Sequence, residues 1–281
     1  MMKLIVFAVD QGMCAYVRTP NDYGILIDCG KGSSGDISSP AQWLAEHELP
    51  TLKRQDDMAI SLIVTHPHET HTEDIGNVLG LLSPAPLCCD RDYNWAALVD
   101  NDESLRTYHS WLKDQPRDAA SPDFGAKVQC FSLTRKQAEQ LGGDDDQMIN
   151  NRSVVTVISY TSPEDYSWKI VIAGDNRTES WEVLATNQEF CEAIKGADFF
   201  ITACHGQEVG FHAGLSKIMG KPLANISCSR NGERVDSRYK EHAQGVKFPD
   251  GSRKHLITPD DGNITIEMRD DGRYDVWLLN P

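Results

Sequence analysis

Apolar and polar positions along this chain of 281 residues alternate in short runs that predict strands first, then helices and strands by turns. "KLIVFAVD", "CAYVRTP" and "YGILIDCG" predict three strands, separated by Gln11-Gly12 and by the turn "TPNDYG". "PAQWLAEHELP" predicts a short amphipathic helix between prolines, and "MAISLIVTH" a buried strand running straight into a cluster of histidines. "EDIGNVLGLL" reads as helical despite two glycines, and "DESLRTYHSWLKDQ" as a helix with an acidic first turn and a Lys near its end. The polar "LGGDDDQMINNRS" reads as a loop. Beyond it, "VVTVISY" and "WKIVIAGD" predict two strands, "TESWEVLATNQEFCEAI" one helix, and "ADFFITACHG" and "PLANISCS" two further strands. "ITIEMRDDGRYDVWLL" predicts a hairpin turning at Asp271-Gly272. No linker-like break interrupts the series, so residues 1–281 are expected to form a single α/β domain.

Composition changes this picture in two places. A hydrophobic share of 40% with 25% charged residues is ordinary for a folded chain, but a formal charge of −15 and a pI near 4.9 disfavour a surface built to wrap duplex DNA. A phosphate-bearing substrate in a metal-lined pocket remains compatible with that charge, because bound cations offset it locally. The eight cysteines contain no CxxC pair, and several sit in apolar strand-like runs, as reduced core cysteines do. Cys88 and Cys89 are adjacent and expected to stay free, since a vicinal disulfide is strained. The apolar stretch at the amino end is shorter than the ~7–15 residues of a signal peptide's apolar region. No run approaches the ~18 apolar residues of a membrane span. The expectation is a soluble cytoplasmic protein without a membrane partner.

The chemistry gathers at strand ends. Apolar runs terminate at Asp28, His66, Asp175 and His205, and carboxyl ends of strands are where α/β sheets hold ligands. In "THPHETH", His66 and His68 point to the same side of an extended segment, and Pro67 keeps that segment extended. His71 begins the following helix and can face a second ion. A lone strand-end histidine such as His205 is more often a satisfied polar residue than a ligand, but three histidines within six residues point to a metal. Asp28 is as apt to orient a ligand or cap a turn as to bind an ion. His47, His109 and His255 carry no assigned role.

These residues resemble the metallo-β-lactamase fold, whose hallmark is HxHxDH after a buried strand. Within it they are most similar to the ComEC-type domain, the nuclease-like part of bacterial DNA-uptake channel proteins. "FAVDQGMCAYV", "ILIDCG", "NNRSVVTVISY", "IVIAGD", "ADFFITACHG" and "SCSRN…SRYKEHAQ" follow that branch's motifs in order along nearly the whole chain. The resemblance implies an αββα sandwich of two mixed sheets flanked by helices. It implies Zn²⁺ or Mn²⁺, two ions per chain, with His66 and His68 on one, His71 and His205 on the other, and Asp175 bridging. Asn151 would lie near the first ion. His242 would sit at the mouth as a proton donor or substrate contact, and Asn151, Arg230 and Tyr239 are the expected substrate-binding residues.

Thr70 departs from the pattern, standing where the family has Asp, and Cys204 replaces a family His. Thr70-His71-Thr72-Glu73 reads as a capping box, so Thr70 is expected to start the helix. Asp74, three residues after His71 on the same helical face, is the favoured replacement ligand, ahead of Glu69.

The expected function is a metal-dependent hydrolase in which a metal-bound hydroxide attacks a phosphodiester, as a nuclease or small-nucleotide phosphodiesterase. The substrate would be a small molecule or a short or single-stranded nucleic acid. Arg177, Arg230 and Arg238 are candidates for touching phosphate, although solvated surface arginines are commoner. A lactone, ester or thioester substrate is the alternative, and a degenerate regulatory module of the same fold is the third reading. A homodimer or partner protein is compatible with the sequence but not legible in it.

Overall fold

A computed structural model describes every residue except 10–11, 33–38, 55–57, 101, 117–120, 230–232 and 280–281. Its strands are β1 (Met2–Val6), β2 (Ala15–Arg18), β3 (Gly24–Ile27), β4 (Ile60–Ile63), β5 (Ala85–Pro86), β6 (Lys127–Phe131), β7 (Val155–Thr161), β8 (Ser167–Ile172), β9 (Phe199–Ile201), β10 (Ala224–Ser227), β11 (Val246–Phe248), β12 (Gly251–Arg253), β13 (His255–Ile257), β14 (Asn263–Met268) and β15 (Tyr274–Leu279). One sheet has the order β15-β14-β1-β2-β3-β4-β5, the other β13-β10-β9-β8-β7-β6, and β11-β12 form a separate ribbon. Both large sheets are mixed: β3, β4 and β5 run parallel in the first, and β8, β9, β10 and β13 in the second.

Strand alternation builds the layers. Met2, Leu4 and Val6 of β1, Ile25 and Ile27 of β3, and Ile170 and Ile172 of β8 meet in one core between the sheets. The intervening Ile5 and Leu26 face outward against Leu44, Tyr108 and Leu112 of two helices, Pro40–His47 and Glu103–Asp114. Val155, Val157 and Val171 face outward on the other side against Trp181, Phe190 and Leu215, also from helices. Period-two burial on both faces of both sheets yields the expected α/β sandwich of helix, sheet, sheet and helix layers.

Four local expectations need correction. "LGGDDDQMINNRS" is not all loop: Asp144 accepts from the Gln147 amide and starts a helix, Asp145–Asn150. The single helix expected after Asp175 breaks into Thr178–Leu184 and Gln188–Ile194, because Asn187 caps the second by accepting from the Glu189 and Phe190 amides. Thr70 does not start its helix; Glu69–Thr72 has His68 at the cap position and no side-chain cap. Cys88 is not free but disulfide-bonded to Cys130, joining the segment after β5 to β6, while Cys89 remains a thiol.

Two close approaches hold the two sheets and the histidine turn together at one edge. The Val154 amide donates to the Thr65 carbonyl (2.8 Å), tying the second sheet to the end of β4. Gly12, at φ +107, lies so near the histidine turn that a Cβ there would be 1.8 Å from the Thr70 carbonyl oxygen. Only glycine serves both requirements at that position. No helix among the described residues is long and apolar enough to cross a membrane.

Candidate metal centre

The parallel strands β3, β4, β8 and β9 all point their carboxyl ends at one edge of the sandwich. Asp28 follows β3, Thr65 and His66 follow β4, Asp175 follows β8, and His205 lies just past β9. Asp28, Cys204 and His205 adopt left-handed backbone (φ +58, +46 and +57), a strained state for residues with side chains that concentrates at functional sites.

Asp175 is the hub. Its Oδ2 lies 3.8 Å from His66 Nε2, 3.6 Å from His71 Nε2 and 3.3 Å from His205 Nε2. His68 joins through its Nδ1, 3.0 Å from His66 Nε2. His66, His71 and Asp175 each offer a ligand atom within 4.8 Å of the others. His66 and His71 are buried to 1% and 0% exposure, so their orientation is set by packing and hydrogen bonds, not by solvent.

The back nitrogens are fixed by outer acceptors. The fully buried Asp28 accepts from the Thr65 amide (2.6 Å) and the Thr65 hydroxyl (2.7 Å). It also accepts from His71 Nδ1 at 2.6 Å. With its proton committed to Asp28, the Thr65 hydroxyl can only accept from His66 Nδ1, 3.0 Å away. His205 Nδ1 donates to the Cys228 carbonyl at 2.8 Å. Three imidazoles are thereby turned to aim Nε2 at Asp175. Asp28 thus stands behind His71 and Thr65, on the side of the rings away from Asp175, in the orienting place that was one of the two the sequence left open.

Charges follow from burial and neighbours. Burial, then the adjacent His71, depresses His66, so its ring is neutral and its Nε2 lone pair free. His68 is lowered for the same reasons. Burial opposes charge on His71, but Asp28 and Asp175 outweigh it and hold its pKa up at about 10. Burial likewise opposes charge on His205, and Asp175 overcomes it. Burial also opposes ionisation of Asp175, yet His205 and His71 hold its carboxyl well below the usual range.

The donor set fits a divalent transition-metal ion. The Nε2 atom of His71 is buried without a hydrogen-bond partner, an expensive state for an imidazole nitrogen that a bound cation relieves. Imidazole and carboxylate are the ligands Zn²⁺ and Mn²⁺ accept.

Other expected site residues stand apart. Asp74, the expected replacement ligand, is not brought to the histidine cluster: its Oδ2 accepts from the Ser39 hydroxyl (2.7 Å) and the Ala41 amide, and its Oδ1 from Asn77 (2.8 Å). It anchors the start of the helix Pro40–His47. Tyr239 is a core residue, 2% exposed, with its ring against Phe200 and Phe211. His242 ends the helix Ser237–Glu241, bonded through Nδ1 to the Arg238 carbonyl and packed on Phe211, and no contact joins it to the histidine cluster. Arg238 is occupied by Asp236 and stacked over Phe211, and Arg177 faces Glu179. Arg230 lies outside the described residues. Asn151 is buried with its Oδ1 unpartnered, and two residues on, Ser153 accepts from the Asp175 amide, keeping this turn against the site.

Sequence reasoning missed Thr65, the Cys228 carbonyl and Asp146, whose Oδ1 lies 3.7 Å from His68 Nε2. Thr65 directly precedes His66 and was legible in principle as a polar interruption of an apolar strand. The other two act through backbone or across the fold and left no local signal.

No protein-family model matches the chain, and no curated protein matches it. Among solved structures, it is similar to isothiocyanate hydrolase from Delia radicum gut bacteria (13% identity, TM-score 0.46, 98% of this chain and 99% of that one). It is similar also to a long form RNase Z from yeast (14% identity, TM-score 0.45, 89% of this chain and 41% of that one). A third is the class B3 di-zinc metallo-beta-lactamase LRA-12 from an Alaskan soil metagenome (11% identity, TM-score 0.39, 70% and 74% covered). These likenesses are distant, and the functional reading below stands on the site.

Proposed function

We propose that the chain is a divalent-metal-dependent hydrolase, with His66, His68, His71, Asp175 and His205 holding Zn²⁺ or Mn²⁺. The observation that carries this reading is the single Asp175 oxygen 3.3, 3.6 and 3.8 Å from the Nε2 atoms of three histidines, each turned by its own outer acceptor. A bound ion supplies Lewis acidity and lowers the pKa of a coordinated water to about 7. The protein's part is to hold the imidazoles in one tautomer and to keep Asp175 ionised. The outer acceptors weigh against a degenerate module, since a drifting scaffold would not maintain three tautomer-fixing contacts at buried rings.

The ComEC-type motif order supports a phosphodiester as substrate. The mouth limits its size: Asp144, Asp145 and Asp146 are exposed on the helix start beside His68, and Asp146 Oδ1 is 3.7 Å from His68 Nε2. Such a rim repels a polyanion, which favours a small phosphodiester over a long nucleic acid. The same rim favours the second reading, an uncharged lactone or ester. Hydrolysis of bis-p-nitrophenyl phosphate and of a simple lactone, each with and without Mn²⁺, separates the two. Activity on either that survives His68→Ala combined with Asp175→Ala would sink the assigned centre.

A further inference from the structure

Four imidazoles face the centre, and three have a fixed acceptor behind them. His66 has Thr65, His71 has Asp28, and His205 has the Cys228 carbonyl. His68 differs. It presents Nδ1, and its Nε2 is buried with no hydrogen-bond partner. Among the described residues the carboxylate beside that nitrogen is Asp146, 3.7 Å away, on the helix Asp145–Asn150. The Asp146 side chain is 85% exposed, so no packing holds its oxygen away from that nitrogen.

The two ring nitrogens His66 Nε2 and His68 Nδ1 lie 3.0 Å apart, and the tautomer of His66 leaves its Nε2 without a proton. In the metal-free protein His68 therefore carries its proton on Nδ1 and donates it to His66. To serve as a ligand through Nδ1, His68 must carry that proton on Nε2 instead, where it needs an acceptor.

We propose that Asp146 is the positioning residue for His68: it accepts the Nε2 proton when Nδ1 turns to the ion, completing a set of outer acceptors for all four histidines. The inference rests on the metal-centre reading. The helix carrying Asp146 has room to adjust, because a cavity of about 180 Å³ lined by Asp145, Met148, Ile149 and Arg152 lies against it. Outer acceptors of this kind are worth about 10–100-fold in metal affinity. The weak, solvent-facing geometry of Asp146 places it at the lower end, about tenfold.

The test measures Zn²⁺ affinity of the full chain by competition with a chromogenic chelator, and the His68 tautomer by imidazole ¹⁵N shifts in the zinc-loaded protein. Asp146→Asn is expected to weaken binding about tenfold and Asp146→Glu to restore most of it. Asp145→Asn, which removes the same charge one residue away, is expected to change affinity less than twofold. Equal losses in Asp146→Asn and Asp145→Asn would reduce the effect to local charge and overturn the inference. So would a zinc-loaded His68 whose Nε2 lacks its proton. Failure of the unsubstituted chain to bind zinc would instead remove the metal-centre reading, and this inference with it.

Discussion

Replacing Asp28 by Asn removes one charge from a fully buried carboxylate while keeping its size and a residue type that tolerates the left-handed backbone at φ +58. In the metal-free protein His71 is charged and its Nδ1 is 2.6 Å from Asp28 Oδ2. The sign is set by the direction of the shift. A histidine whose folded pKa stands at about 10, above the ordinary 6.5, contributes stability fully below pH 6.5 and loses it as pH rises through about 10. At pH 7 this amounts to about 4 kcal/mol, at roughly 1.36 kcal/mol per tenfold, and at pH 10 to less than about 1 kcal/mol. Breaking one partner out of a buried ion pair costs about 3–5 kcal/mol by independent reckoning, in agreement. The figure is an upper one for Asp28, because Asp175 also supports the charge and remains in the variant. Urea denaturation in excess chelator at pH 7 and pH 10 reads the difference directly. Asp28→Asn is expected to lose about 3–4 kcal/mol at pH 7, with the gap to the unsubstituted protein narrowing by most of that amount at pH 10. A gap that is the same at both pH values would refute the charged pair.

Other expectations follow from the same contacts. Asp74→Ala should cost about 1–3 kcal/mol by stranding the buried Ser39 and Ala41 donors and the half-buried Asn77 amide, yet leave bound metal unchanged by elemental analysis. A loss of metal would restore Asp74 as a ligand. Tyr239→Phe removes a buried hydroxyl that has no partner, so thermal stability should hold within about 1 kcal/mol and hydrolytic rate should not fall. A large drop in rate would return Tyr239 to the substrate. Because His71 must shed its proton to bind an ion, zinc affinity measured by chelator competition should rise from pH 6.5 to 8.5, and a flat profile would contradict its elevated pKa.

The sandwich was legible because its information is local and periodic. Every strand of the inter-sheet core shows alternation or a continuous apolar run, and the strands that end on Asp28, His66, Asp175 and His205 converge as their order required. The segment from residue 78 to 150 was least legible for a physical reason. The strand Lys127–Phe131 sits at a sheet edge with mostly half-buried residues, and the helix Asp145–Asn150 starts from a cap among acidic residues that look like loop. Asp74 misled because helical spacing from His71 gives a position on the helix and not the partner it finds. Glu69–Thr72 ends at once, and Asp74 begins a new turn whose carboxylate faces the neighbouring helix. Spacing singled out His66, His68 and His71 as candidate ligands, whereas the place of Asp28 behind them needed the contact with a turn more than forty residues away.

That reassignment bears on how many ions the centre holds. With Asp74 bound to Ser39 and Asn77, and Thr70 inside its helix, Asp175 is the one carboxylate facing the inner side of the histidine cluster among the described residues, while Asp28 and Asp146 stand behind His71 and His68. One dication against Asp175 and the adjacent Asp28 is neutralised. A second would leave two net positive charges at a site where His66 and His71 are nearly fully buried, and uncompensated charge in a low-dielectric interior costs several kcal/mol. The expected outcome is therefore one tightly held ion per chain and a second bound at least about a hundredfold more weakly, a difference of about 2.7 kcal/mol. Chelator competition resolves the two steps. Two equivalents of equal affinity would show that a further anionic ligand enters the site, and Thr70→Asp, which restores a carboxylate in the turn, is the variant expected to strengthen the second step if that turn can reach it.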